Sequence, residues 1–385
     1  MQPSPYTPGS IARNVPGRSE LVAEFSERLS LMVDLRRMIP QISVAVGPRG
    51  IGKTSLLRSF ERLAQQREVV TIWVTAGDEV GLLPQLTEAI NDSVSTWVSD
   101  KAERLHERLT DLSITIGVPG IVQAKAATGR PAASERSTTK ALKRLLVETA
   151  ENSDHGLLIF IDEIQAADIP GLRALAYAWQ ELQAERPDLM AGIFAAGLAD
   201  SAQRISEAAT FSERFVYEPI GMLSTAAQIE ALRDPASSLG VTWTPDAFER
   251  AAELAAGYPY AVQLHGDAAW TAAGRPDPGS QITGDDVEAG RVRVVARLEA
   301  MFEARWGRTT DAQKRFLRKM AALHRDGRPV KRADLADELG GKTSTISVTR
   351  GQLIASGIIA PAGYGLIDFT VPGFADFVRR TGERD

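Results

Sequence analysis

The residues with the plainest chemical purpose are Gly47-Pro48-Arg49-Gly50-Ile51-Gly52-Lys53-Thr54, followed by Ser55. The spacing G-x-x-x-x-G-K-T is the pattern of a phosphate-binding loop. Such a loop turns backbone N–H groups inward, and a helix starting at its end adds the positive end of its dipole. Lys53 is expected to reach the β- and γ-phosphates of a nucleoside triphosphate, and the Thr54 hydroxyl to hold Mg²⁺. A second piece lies further along, where Leu157-Leu158-Ile159-Phe160-Ile161 ends in Asp162-Glu163. At the end of a buried strand of a parallel sheet, beside the loop, Asp162 would bind Mg²⁺ through water. Glu163 would then orient or deprotonate the attacking water. The pair points to hydrolysis and not to binding alone.

These groups need strands to carry them. Ile42-Ser43-Val44-Ala45-Val46 is short, apolar and β-branched, as a buried strand should be, and Ser55 to Phe60 has helical spacing. Further buried strands are predicted at 69–74 and 191–196, with helices at 82–98 and 172–185. Alternating strands and helices imply a mostly parallel, doubly wound α/β sheet. Before it, the first sixteen residues look irregular, and a helix is expected from Ser19, with Ser19 as its cap and Leu21, Val22, Phe25 and Leu29 on one face. The pattern breaks over about 100–143, read as an insertion, with two short strands at 112–116 and 121–126 and a polar stretch at 128–139. It serves as a surface loop or as a contact for DNA or a neighbouring subunit.

From about 224 to 300 the chain is Ala-rich and helical, interrupted at Gly257-Tyr258-Pro259-Tyr260. The last part predicts helices at 311–323, 330–339 and 343–356, then a hairpin at 358–369. That order is the order of a winged helix-turn-helix, a DNA reader or a protein-contact module. For DNA, Ser344, Thr345, Arg350 and Gln352 would lie on the helix entering the major groove, with Arg350 and Gln352 at base edges. Lys331, Arg332 and Lys342 suit phosphates.

Charge distribution supports a basic surface. The net charge of 385 residues is −5, yet 291–332 holds thirteen Lys and Arg against four acids. There is no cysteine, which excludes disulfides and thiol chemistry, and the four histidines have no ligand spacing. No apolar run approaches the ~20 residues of a membrane span. A cytoplasmic protein without membrane contact is the expectation.

The ordered set GPRGIGKT, LLIFIDEIQ, VPGRSEL, GLAD, SERFVYEPIGMLS, GYPYAVQLHGDAAW and DFTVPGFADFVRR resembles an AAA+ ATPase of the origin-recognition-like group, related to the STAND ATPases. It looks most like bacterial ATP-binding proteins. The resemblance implies a P-loop ATPase core over 1–222, an all-helical lid over 223–304 and a winged helix over 305–385. It also implies ATP and Mg²⁺ between core and lid, Val15, Pro16 and Arg18 near the adenine, and Pro259 approaching the nucleotide. Arg214 matches the position of an arginine finger, supplied in trans by an ATP-dependent homo-oligomer. Two departures, no Asn or Thr in Ala196-Gly197-Leu198 and no arginine around Gly257, fit a slow ATP-driven switch triggered by a partner and acting on or near DNA; the alternatives are a STAND-like signalling or defence ATPase whose winged helix contacts protein, and a helper ATPase for DNA transposition or replication.

Overall fold

The computed structural model describes residues 1–77, 80–97, 135–209, 214–325 and 327–382. They form two compact units. One holds 18–46 and 53–219; the other holds 1–17, 47–52 and 220–385.

The first of these is α/β. Its strands are β1 (Ile42–Val46), β2 (Val70–Thr75), β3 (Leu157–Asp162), β4 (Ala191–Gly197) and β5 (Phe215–Pro219). They pair in parallel in the order β2-β3-β4-β1-β5. The helices are α1 (Ser19–Asp34), α2 (Lys53–Gln66), α3 (Leu82–Ser95), α4 (Glu135–Asn152), α5 (Ile169–Glu185) and α6 (Ser201–Ala208). Side chains alternate across the sheet, so its two faces are built from different residues. Phe160 and Phe194 point to the face where α1 and α2 bring Phe25 and Phe60; Phe25 stacks on Phe60 at 4.3 Å. Val44, Ile159, Ile161, Ile193 and Ala195 point the other way, into a core with Leu86, Leu145, Leu175 and Trp179. Both faces are apolar, which explains why the strands read as unbroken hydrophobic runs.

Several expectations shift here. Ser19 is the first helical residue and not the cap, a place taken by Arg18, whose side chain does not cap the helix. β5 was not foreseen; it is an edge strand whose half-buried Val216, Tyr217 and Glu218 give no buried-strand signal. The expected insertion ends early, because α4 starts at Glu135 inside the stretch read as polar. The strands expected at 112–116 and 121–126 lie outside the described residues.

In the other unit, α7 (Thr225–Ser237), α8 (Pro245–Ala255), α9 (Pro259–Ala272) and α10 (Gly284–Gly307) span the segment expected as the lid. It is not all helical: β6 (Thr242–Trp243) pairs with β7 (Gln281–Ile282). The first residues are irregular yet anchored. Tyr6 is buried, donates its hydroxyl to the Leu232 carbonyl at 2.5 Å, accepts from Trp243 Nε1 at 2.9 Å, and meets Trp270 edge-on. α10 runs through residue 304 without a break. After it come α11 (Asp311–Leu323), β8 (Val330–Lys331), α12 (Arg332–Glu338), α13 (Ser347–Ala355), β9 (Ile359–Pro361), β10 (Leu366–Phe369) and α14 (Phe374–Gly382). The three strands form an antiparallel sheet in the order β8-β10-β9. Val330 and Lys331, expected in a helix, are therefore a strand. Ser344 and Thr345, expected on the second helix, sit in the turn before α13, where the Thr345 hydroxyl donates to the Lys342 carbonyl. A single core joins Trp243 and Trp270 of the lid to Phe302, Phe316 and Phe374. No described helix is long and apolar enough to cross a membrane.

Candidate nucleotide site

β1 ends at Val46, and the chain runs into the loop Gly47–Gly52 before α2 begins at Lys53. Gly50 (φ 79°) and Gly52 (φ 94°) take the left-handed conformation that glycine adopts without strain. Ile51 between them is buried. Gly47 is needed for closeness, since a Cβ there would lie 2.7 Å from the Ile220 carbonyl.

Lys53 and Ser55 are buried in the first turn of α2. The Thr54 hydroxyl donates to Asp162 Oδ2 at 2.7 Å, although β3 is not the neighbour of β1 in the sheet. β4 lies between them, so the carboxylate at the end of β3 reaches past a strand. Asp162 Oδ1 accepts from the Glu163 backbone N–H at 3.0 Å. Burial pushes the Asp162 carboxyl above its ordinary value, while the bonds from Thr54 and Glu163 and the Lys53 charge pull it down. Glu163 has φ 53°, a left-handed backbone that costs a non-glycine residue about 1–3 kcal/mol. Its carboxylate accepts from Gln165 Nε2.

On the lid segment, Tyr258 caps α9 and Pro259 is its first residue. The buried Tyr258 hydroxyl donates to the Arg49 carbonyl of the loop at 2.9 Å. It is so close to Gly50 that a Cβ there would lie 2.2 Å from the hydroxyl oxygen. The Arg305 guanidinium of α10 interacts with the same hydroxyl; burial lowers its pKa, and the Arg49 charge lowers it further. Sequence reasoning missed Gln165, Tyr258 and Arg305. Only the tyrosine had a signal, its place before Pro259.

Other expected residues are more dispersed. Val15 and Pro16 are half-buried and precede Gly17, which packs against Ala227 at the start of α7. Arg18 is half-buried, and burial lowers its pKa. Arg214 is exposed and donates to Gln183 on α5. In the C-terminal module, Arg332 lies close enough to help lower the Arg350 pKa, behind the larger effect of burial. Lys331 and Lys342 are exposed. Gln352 accepts from Gln313 Nε2 of α11 at 3.1 Å. Two positions apart on one helix, Arg350 and Gln352 point to different sides.

The parallel sheet and the loop between β1 and α2 define an AAA+-like P-loop fold. Residues 14–191 match the family described as AAA ATPase domain. Residues 299–378 match a family described as a domain of unknown function, DUF8462. The chain is similar to the ORC2 protein of Aeropyrum pernix, solved as ADPNP–ADP complexes, with TM-score 0.59 and 13% identity over 99% of this chain and 98% of that one. It is equally similar to the Walker-type ATPase of Pyrococcus abyssi, with TM-score 0.59 and 14% identity over 98% and 99%. At such identities the likeness is one of fold. No curated protein matches the chain.

Proposed function

We propose that this protein is an ATP-driven molecular switch that binds ATP with Mg²⁺, hydrolyses it slowly, and acts in the cytoplasm on or near duplex DNA. The bond between Thr54 and Asp162 carries the first part, because it joins two motifs separated by 108 residues. A hydroxyl and a carboxylate are hard oxygen donors of the kind Mg²⁺ prefers, and they fit the ion. Thr54 would hold it directly and Asp162 through water; once bound, the ion neutralises charge on the β- and γ-phosphates. Lys53 binds the same phosphates. Water attacks the γ-phosphorus, the bond to the ADP oxygen breaks, and Glu163 takes the water's proton. An exposed Arg214 suits a finger lent to a neighbouring copy in an ATP-dependent oligomer.

The DNA half rests on the C-terminal module, read as a winged helix. Helix, strand, two helices and a hairpin support that reading. Arg332, Arg350, Lys331 and Lys342 supply its positive charge. A second reading, a signalling switch whose module contacts protein, is favoured by the exposed Val348 on α13 and Tyr364 at the hairpin tip.

The test is steady-state ATP hydrolysis with and without duplex DNA at low salt, where phosphate contacts are strongest. Glu163→Gln is the blank; it should still bind ATP and lose about 10²-fold or more in kcat. Stimulation by DNA supports the proposal. A rate indifferent to DNA, with no detectable DNA affinity, favours the protein-contact reading.

A further inference from the structure

The end of β4 has no Asn or Thr, and the structure gives a steric reason. At Gly197 a Cβ would lie 2.1 Å from the Ser201 hydroxyl, 2.8 Å from Gln165 Oε1 and 2.9 Å from Ile164 Cγ2. The space a polar side chain would fill is already taken, in part by the amide of Gln165 arriving from the turn after β3. Gln165 Oε1 accepts from the Leu198 backbone N–H at 2.9 Å. That bond fixes which end of the amide is which, because an N–H can meet only its oxygen. Nε2 is then aimed at the carboxylate of Glu163 and donates to it.

Both ends of the bridge are braced. Ser201, fully buried, donates its hydroxyl to the Leu198 carbonyl at 2.7 Å. Arg204 of α6 donates to the carbonyls of Gln165 and Ala167, each at 3.4 Å. The Glu163 backbone is itself held left-handed. The carboxylate therefore hangs from a constrained backbone, with one oxygen tethered through Gln165 to the residue that follows β4.

We propose that Gln165 is the positioning residue for Glu163, performing from the β3 turn the task for which β4 has no side chain. The inference rests on the reading of Glu163 as the group that handles the attacking water. A catalytic group displaced by about 1 Å can lose about 10²-fold in rate. Gln165→Met keeps the length of the side chain and removes both bonds. Gln165→Glu keeps the acceptor for Leu198 and removes the donor to Glu163.

The experiment measures kcat and ATP affinity for the wild type, both Gln165 variants, Glu163→Gln and the double variant Glu163→Gln/Gln165→Met, with melting temperature checked for each. Both Gln165 variants should lose about tenfold to a hundredfold in kcat with ATP affinity within about twofold. In the Glu163→Gln background, Gln165→Met should cost nothing further, since residues acting through one another are not additive. Wild-type or raised kcat in folded Gln165 variants, beside an inactive Glu163→Gln, overturns the inference and leaves the ATPase reading standing. So does a parallel fall in affinity and kcat, or a further loss in the double variant. Wild-type turnover in Glu163→Gln removes the reading of Glu163, and this inference with it.

Discussion

At the scale of single residues, Asp162 shows how function and stability oppose each other. Burial raises its pKa beyond what Thr54 and Glu163 offset. The folded protein therefore holds this proton more tightly than the unfolded chain does. Stability is greatest below the ordinary carboxylate range and falls as pH rises through the raised value. The charged form of this buried group is a standing cost to the folded protein. Asp162→Asn should raise the melting temperature at pH 7.5 by a few degrees and abolish Mg²⁺-dependent hydrolysis. A lower melting temperature in the variant would mean that the bonds to Thr54 and Glu163 outweigh the burial.

The motif residues were legible because they place demands on backbone and charge that few other residues satisfy. Gly50, Gly52, Lys53 and Asp162 announce themselves in that way. Gln165 does not, since an amide has no chemistry of its own and gains its role only from the space above Gly197.

At the scale of elements, the phosphate loop is held by the start of a helix far away in sequence. Gly50→Ala would put a methyl group on a left-handed backbone and into the Tyr258 hydroxyl. Nucleotide affinity should fall about tenfold or more, equivalent to ~1.4 kcal/mol. Tyr258→Phe removes the hydroxyl and its bond to Arg49, a small loss by itself. In the Gly50→Ala background it should recover part of the affinity. Titration with a fluorescent ATP analogue through all four variants decides this; strictly additive losses would dissociate the loop from the tyrosine.

Strands covered on both faces were readable, as β1, β3 and β4 were, because burial on both sides removes polar residues. The edge strand β5 lacked that signature. The turn before α13 was hidden for another reason. Ser344 and Thr345 are compatible with a helix start, and only the bond from Thr345 to the Lys342 carbonyl marks them as a turn.

At the scale of the whole molecule, the unit that contains α9 carries its own acid sensitivity. His265 on α9 is buried, and burial, with Arg291 and Arg250 adding to it and Glu288 opposing, pushes its pKa down to about 4. The unfolded chain takes up this proton near the ordinary histidine value, and the folded chain only near pH 4. Stability present above about 6.5 is lost as pH falls toward 4, by about 2 kcal/mol at pH 5. Scanning calorimetry at pH 7 and pH 5 should show a falling transition in the wild type. His265→Gln, neutral throughout, should show a smaller fall; an equal fall would assign the acid sensitivity elsewhere.

The same unit is assembled from pieces that are far apart in the order of synthesis. Tyr6 is made among the first residues, and the Leu232 carbonyl it bonds lies 226 positions later. At about 5–20 residues per second, Tyr6 waits on the order of 10–45 s for its partners. The parallel sheet needs no residue beyond Pro219. A growing chain can therefore have Thr54 bonded to Asp162 before Tyr258 exists to meet Gly50. The pair at the ends of the two motifs can be in place early, while the glycine loop beside it is secured only when the later part of the chain has been made.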